Sequence, residues 1–223
     1  LHLRDENKLA ILDLSAAKIV KTIPVPERAL FAAGMDSLLI VDAEDDTVER
    51  WSLTTFTKEA TADLPVSMGL TATAIAMGGA SNGPLMVQAL DFPRLGERFL
   101  LDVSTLKEVV GSRTHDGAMG VRPGDELRVS GDGRTFAQWN PDGRAAVILV
   151  TDTGYHEAAF PAKVPSAATV PGGDGQSVYA REEITGRGGL RSGAAPGKGA
   201  SYLPAASGPL FLSLPKPGGA TFG

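Results

Sequence analysis

Residues 101–109 read Leu101-Asp102-Val103-Ser104-Thr105-Leu106-Lys107-Glu108-Val109, and the same hairpin is written twice more upstream. Leu12-Asp13-Leu14-Ser15 leads to Lys18-Ile19-Val20, and Trp51-Ser52-Leu53-Thr54 leads to Lys58-Glu59-Ala60. In each copy a strand ends in a polar pair, the chain turns, and a basic residue starts the return. Val150-Thr151-Asp152-Thr153 with residues 155–158 is a looser fourth copy. The copies are offset by 39 residues from Asp13 to Ser52, 50 from Ser52 to Asp102 and 49 from Asp102 to Thr151. Repeats of about 40 to 50 residues carrying four strands each have the period of β-propeller blades.

The other half of each repeat also recurs. Ser130-Gly131-Asp132-Gly133-Arg134-Thr135-Phe136 and Gly172-Gly173-Asp174-Gly175-Gln176-Ser177-Val178 share an Asp-Gly turn at a spacing of 42 residues. Asp-Gly accepts the positive φ values of a tight hairpin at low cost. Ala80-Ser81-Asn82-Gly83-Pro84-Leu85-Met86 and Ala205-Ala206-Ser207-Gly208-Pro209-Leu210-Phe211 serve the same structural job with a second turn chemistry. Between turns lie short runs rich in Val, Ile, Leu, Thr and Phe, the pattern of strands. No capped stretch carries apolar residues at i, i+3, i+4 and i+7, and 27 Gly and 15 Pro interrupt most helical attempts. The expectation is an all-β chain with little or no helix.

At these turns and hairpins, over about residues 8 to 214, the chain resembles the WD40-like and YVTN-like propeller repeats of bacteria. Arg50-Trp51-Ser52-Leu53 is similar to the family's Trp-Asp region, with Ser52 where Asp is usual, and the Gly-His dipeptide is missing. The resemblance therefore implies the blade without its usual bracing hydrogen-bond network. It implies a β-propeller of four-stranded antiparallel blades forming one domain over residues 1–223. Residues 8–27 would give an outer half-blade, 28–65, 69–112 and 125–162 three fuller blades, 165–200 a weak one, and 201–214 an inner half. The two halves could pair to close a ring of about five blades. Alternatively, Leu1 in place of Met and the trailing residues 218–223 fit an excerpt of a seven- or eight-bladed ring.

Composition narrows the function classes. An apolar fraction of 43% supports a packed core, and only 6% of residues are aromatic, which suits thin aliphatic layers between sheets. The net charge is -5 and the 21 Lys and Arg are scattered among 26 acids, so no basic stripe invites nucleic acid. There is no cysteine, hence no disulfide framework and no thiolate chemistry. No apolar run reaches the roughly 18 residues of a membrane helix, and no signal-peptide pattern opens the chain. The expectation is no membrane insertion and a cytoplasmic location, with the periplasm left open.

Motifs of chemistry are weak. Gly79-Ala80-Ser81-Asn82-Gly83 matches the G-x-S-x-G nucleophile elbow, but that motif needs a helix after the Ser, and Pro84 with an apolar strand follows here. Ser192 to Gly199 departs from the phosphate-cradling loop, with Ser192 at the first Gly position and Gly199 at the hydroxyl position. His2, His115 and His156 are far apart, without the clustering a zinc site requires. The acidic run Asp42-Ala43-Glu44-Asp45-Asp46 reads as a solvated turn before it reads as a hard-cation site. Trp51 and Trp139 are expected to pack against neighbouring blades.

The expected function is thus a non-catalytic scaffold for protein–protein interaction, with no cofactor and no metal. The alternative is a propeller-type enzyme, a lactonase-like hydrolase or a quinone-dependent dehydrogenase subunit, with a site in the central channel. Such sites need acids and His converging from inner strands, and residues 29–33, 73–77 and 167–170 carry almost none. The loops expected on the binding rim are 43–46, 92–97 and 140–144, with connectors near 67–70 and 113–122. They carry Glu44, Asp45, Asp46, Phe92, Arg94, His115 and Arg144 as candidate protein-binding residues.

Overall fold

A computed structural model describes residues 1–91, 96–114, 120–140, 145–152 and 154–159, and beyond these the strands at 169–171, 177–180, 183–186, 191–194, 201–204 and 211–214. The described chain is all-β, and its one helical element there is a 3-10 turn over Arg4–Glu6. The first sheet holds β1 (His2–Leu3), β2 (Lys8–Asp13) and β3 (Lys18–Pro24). The second holds β4 (Leu30–Ala33), β5 (Ser37–Asp42), β6 (Thr47–Ser52) and β7 (Lys58–Asp63). In the third are β8 (Thr71–Ala76), β9 (Leu85–Leu90), β10 (Glu97–Asp102) and β11 (Lys107–Glu108). The fourth comprises β12 (Glu126–Val129), β13 (Thr135–Trp139), β14 (Ala145–Thr151) and β15 (Gly154–Ala159). A fifth is made of β16 (Thr169–Pro171), β17 (Ser177–Ala180), β18 (Glu183–Gly186) and β19 (Arg191–Ala194), and β20 (Ser201–Pro204) pairs with β21 (Phe211–Leu214). Within each sheet, strands adjacent in sequence are antiparallel neighbours.

Unbroken apolar runs become strands because both faces of a sheet are covered. Successive side chains of a strand point to opposite faces. In β5, Leu38 and Ile40 pack with Leu9 and Ile23 of the first sheet, while Leu39 and Val41 pack with Leu85, Val87, Phe99 and Leu101 of the third. The third sheet repeats the division: Met86 and Leu100 turn the other way, onto Phe136 and Ile148 of the fourth. Sheets therefore stack face to face in chain order, and thin Val, Leu and Ile layers fill the gaps. The first strands also follow one another, with β4 beside β8, β8 beside β12, β12 beside β16 and β16 beside β20.

The recurring polar residue of the sequence hairpin is a turn cap. Asp13 Oδ1 accepts the backbone N–H groups of Ser15 and Ala16 at 2.9 and 3.0 Å, and Asp102 Oδ1 accepts that of Thr105 at 2.7 Å. Ser52 Oγ does the same work for Thr54 and Thr55 at 3.2 and 3.1 Å. Each of these turns has one left-handed residue near its end: Ala17 at φ 49°, Phe56 at 56° and Leu106 at 56°. Asp-to-backbone bonds of this kind mimic a main-chain turn and fix where the strand stops.

At the β12–β13 turn, Gly133 has φ 72°, and Asp132 Oδ1 accepts the Arg134 N–H at 3.0 Å. Gly78 explains why a glycine stands beside it, since a Cβ there would lie 2.4 Å from Gly133 N and 2.7 Å from Gly131 O. Ser81 Oγ is spent locally, donating to Gly83 O at 3.1 Å and accepting from Gly83 N at 3.2 Å, and β9 follows it. Ser81 is a turn residue, without the helix that a nucleophile elbow requires.

One reading of the chain's ends needs correction. The pairing of 201–214 with the first sheet that could have closed a ring of about five is not formed among the described strands, where β1 occupies the free edge of β2, with His2 opposite Leu9 and Leu3 opposite Lys8. The first sheet thus has three strands where a half-blade of two was expected. As expected, Trp51 packs against the neighbouring sheet: it is half-buried, its ring lies against the layer between the first two sheets and its Nε1 donates to Glu49 Oε2 at 2.8 Å, while Trp139 is 4% exposed.

Candidate functional site

In an antiparallel meander the loops alternate between the two ends of the sheet. The β5–β6 loop and the β7–β8 connector of the second sheet therefore emerge together, and Leu64 N donates to Asp46 O at 2.7 Å to tie them. Neighbouring sheets are joined at this connector end as well. Ser67 donates through its N–H and its Oγ to Glu97 at 2.9 and 2.7 Å, and Arg113 bridges Glu97, Glu108 and the Pro65 carbonyl. Glu97 is fully buried, which alone would push its carboxyl up, but the bonds from Arg113 and Ser67 hold it below the usual carboxylate range. The opposite, hairpin end is locked separately: Met35 N donates to Ser81 O and Ala80 N to Gly131 O, both at 2.8 Å, while Arg50 Nη1 donates to the carbonyls of Val103 and Ser104 at 2.9 and 2.6 Å.

Two adjoining clefts open beside the first strands, sharing Arg28 and Thr73. The larger, about 820 Å³, lies between the first sheet, β4 and β8, and His2, Asn7, Glu27, Phe31 and Ile75 are among its walls. His2 stands edge-on to Phe31 there, with centroids 5.5 Å apart at 81°. The smaller, about 590 Å³, is walled by Arg28, Gly69, Thr71, Thr73, Gln88, Leu90, Asp91 and residues 122–125. Connectors from three successive sheets thus meet at one polar hollow. Behind it lies a buried polar network in which Arg98, 1% exposed, donates to Gln138 and to Glu157, Gln88 donates to Gln138 at 3.2 Å, and Gln138 donates to Asp125 at 2.5 Å.

Of the candidate rim residues, Glu44, Asp45 and Asp46 fall within the described structure, and Phe92, Arg94, His115 and Arg144 lie outside the described residues. Glu44 and Asp45 are exposed at the β5–β6 turn, whose backbone N–H groups at both residues bond Asp42 Oδ1 at 2.9 and 3.3 Å. Asp46 carries that turn's left-handed residue, at φ 49°. Burial, with Asp42 and Asp45 adding repulsion, pushes the Asp46 carboxyl above its ordinary range. None of the three lines either cleft, although their neighbour Ala43 lines the larger one. Of the connectors named from sequence, Gly69 and Arg122 line the smaller cleft.

Sequence reading missed Arg28, Thr71, Thr73 and Asp125. A usable signal existed: Pro26-Glu27-Arg28 and Arg122-Pro123-Gly124 each place an arginine in a Pro-containing connector just before a first strand. Among the described residues no three His, Asp, Glu or Cys side chains come together as a metal site, and none of the helices there is long and apolar enough to cross a membrane.

No protein-family model and no curated protein matches the chain. Among solved structures it is similar to a chain from the complex of KlAtg21 with the coiled-coil of AgAtg16, with a TM-score of 0.58 and 12% sequence identity, over 94% of this chain and 69% of that one. At that identity the likeness is one of fold alone.

Proposed function

We propose that the chain is a β-propeller of the WD40-like kind and serves as a non-catalytic scaffold that binds a protein at its connector end. Four-stranded meanders that stack face to face, with each first strand beside the next, support the architecture. The observation that carries the functional reading is the convergence of connectors from three sheets on one polar hollow of about 590 Å³. A composite surface drawn from separate repeats, on a rigid scaffold, is how repeat proteins present a recognition face. The acids around it are employed structurally: Glu97 holds a connector, and Asp125 holds Gln138 and Asn140. The structure similar in fold is itself a protein–protein complex.

The test is site-specific photocrosslinking in an extract, with the photoreactive residue at Glu27 on the connector end or at Thr54 on the hairpin end, both exposed. Discrete protein adducts from Glu27 and not from Thr54 are expected. Adducts from Thr54 alone would move the binding surface to the other end and overturn the reading.

A further inference from the structure

We propose that Arg28 and Arg122 form a paired carboxylate receptor in the smaller cleft, built to take an acidic side chain from a peptide segment of a protein partner. This deepens the scaffold reading and rests on it for the use of the connector end. Among the described residues, the other arginines that join sheets are matched with carboxylates: Arg50 with Glu59 at 3.0 Å, Arg98 with Glu157 at 2.5 Å and Arg113 with Glu97 at 2.5 Å. Arg28 and Arg122 face the cleft and, among the described residues, their guanidinium groups make no hydrogen bond or ion pair. They come from different connectors, so only the fold brings them to one hollow.

The acids that share the cleft do not satisfy them. The Asp125 carboxylate accepts from Gln138 Nε2 at 2.5 Å, from Asn140 Nδ2 at 2.7 Å and from the backbone N–H of Arg122 at 2.8 Å. Asp91 is engaged with a partner of its own. Two planar cations are left with open donor forks, in a chain whose net charge is -5. Thr71 stands in the same wall and adds a hydroxyl donor, while the Thr73 hydroxyl beside it donates to Gln88 O at 3.4 Å.

Geometry selects the occupant. With Asp91 and Asp125 in the walls, the cleft's formal charge sums to zero, so net charge draws in neither a phosphate nor a carboxylate, and the fit of the guanidinium forks to a planar carboxylate makes the selection. A guanidinium fork matches a carboxylate with two parallel hydrogen bonds, which are stronger than those between neutral groups. An acidic side chain on an extended peptide can reach the hollow while its backbone remains on the rim.

The probe is a fluorescein-labelled peptide of Glu-Gly-Ser repeats, compared by anisotropy with a Gln-Gly-Ser peptide of equal length, and the protein variants are Arg28→Gln, Arg122→Gln and the double change. Both arginines are exposed, so folding is expected to survive, and the thermal midpoint is measured alongside. Lys58→Gln with Lys107→Gln removes the same charge at the hairpin end. The Glu peptide should bind at least about tenfold more tightly than the Gln peptide, the double arginine variant should lose that preference, and the lysine variant should keep it. Arg28→Lys with Arg122→Lys, which keeps the charge and loses the fork, should weaken binding while leaving the thermal midpoint unchanged. Equal binding of the two peptides, retention by the double variant, or displacement by inorganic phosphate as effectively as by free Glu peptide would overturn the proposal. Glu27 crosslinks that persist in the double arginine variant would sink this receptor and leave the scaffold reading standing.

Discussion

Replacing Arg98 by Met removes a buried charge whose partners cannot turn to water. Arg98 is 1% exposed, its guanidinium lies 5.9 Å from the Tyr155 ring centroid, and it donates to Gln138 from the third sheet and to Glu157, whose side chain is 9% exposed. Losing one member of such a pair leaves an uncompensated carboxylate between two sheets, which costs about 3 to 5 kcal/mol. With a urea m value of about 2 kcal/mol/M, the midpoint should fall by roughly 1.5 to 2.5 M. Arg98→Met with Glu157→Met removes both charges and should recover most of the loss, since apolar replacements of a buried pair are often near neutral. Urea unfolding of the wild type, the two single variants and the double variant completes the cycle. A single variant shifted by less than about 1 kcal/mol, or a double variant as unstable as the two singles added together, would refute the claim that the third and fourth sheets are joined by a dry ion pair.

Trp139→Ala should cost about 3 to 5 kcal/mol and the half-buried Trp51→Ala about half as much, with equal midpoints contradicting the burial difference. Glu97→Gln should destabilise by about 2 kcal/mol near neutral pH. Because the folded carboxyl sits below its unfolded value, its stabilising contribution exists above the unfolded pKa and is lost as pH falls through the folded one. The Glu97→Gln and wild-type stability curves should therefore converge on acidification, and parallel curves would contradict it. Asp46→Asn should do the reverse: with its folded pKa raised, the charged form is disfavoured in the native state, so the variant should be more stable near neutral pH and gain nothing at low pH. Asn also tolerates the φ of 49° found there.

The repeat was legible because its signals are local. Asp13, Ser52 and Asp102 cap equivalent turns, so the spacing of those polar residues was the spacing of the sheets. The Asp-Gly and Ser-Asn-Gly-Pro turns mark the other hairpin of the third and fourth sheets for the same reason. The strand His2–Leu3 was missed because two residues carry no period, and it takes the edge reserved for the last strands. Site residues were harder to read. Glu44, Asp45 and Asp46 drew attention by charge density, yet Asp42 had already organised them into a turn. Arg28 and Arg122 are 94 positions apart, and only the stacking of three sheets makes them neighbours of one cleft. Nothing within either connector announces that its arginine lacks a partner, because Arg98 and Arg113, which look the same in sequence, find theirs, Arg98 on the neighbouring sheet and Arg113 on strands of the sheet it follows.

Hydrogen exchange of the chain alone and bound to the protein captured through Glu27 tests most directly whether the connector end is the recognition face. Protection is expected over residues 26–30, 64–73 and 120–126, which wall the clefts or lead into them, with the hairpin turns at 14–17, 53–57 and 103–106 unchanged. Protection of those hairpin turns with the connectors unaltered would contradict it.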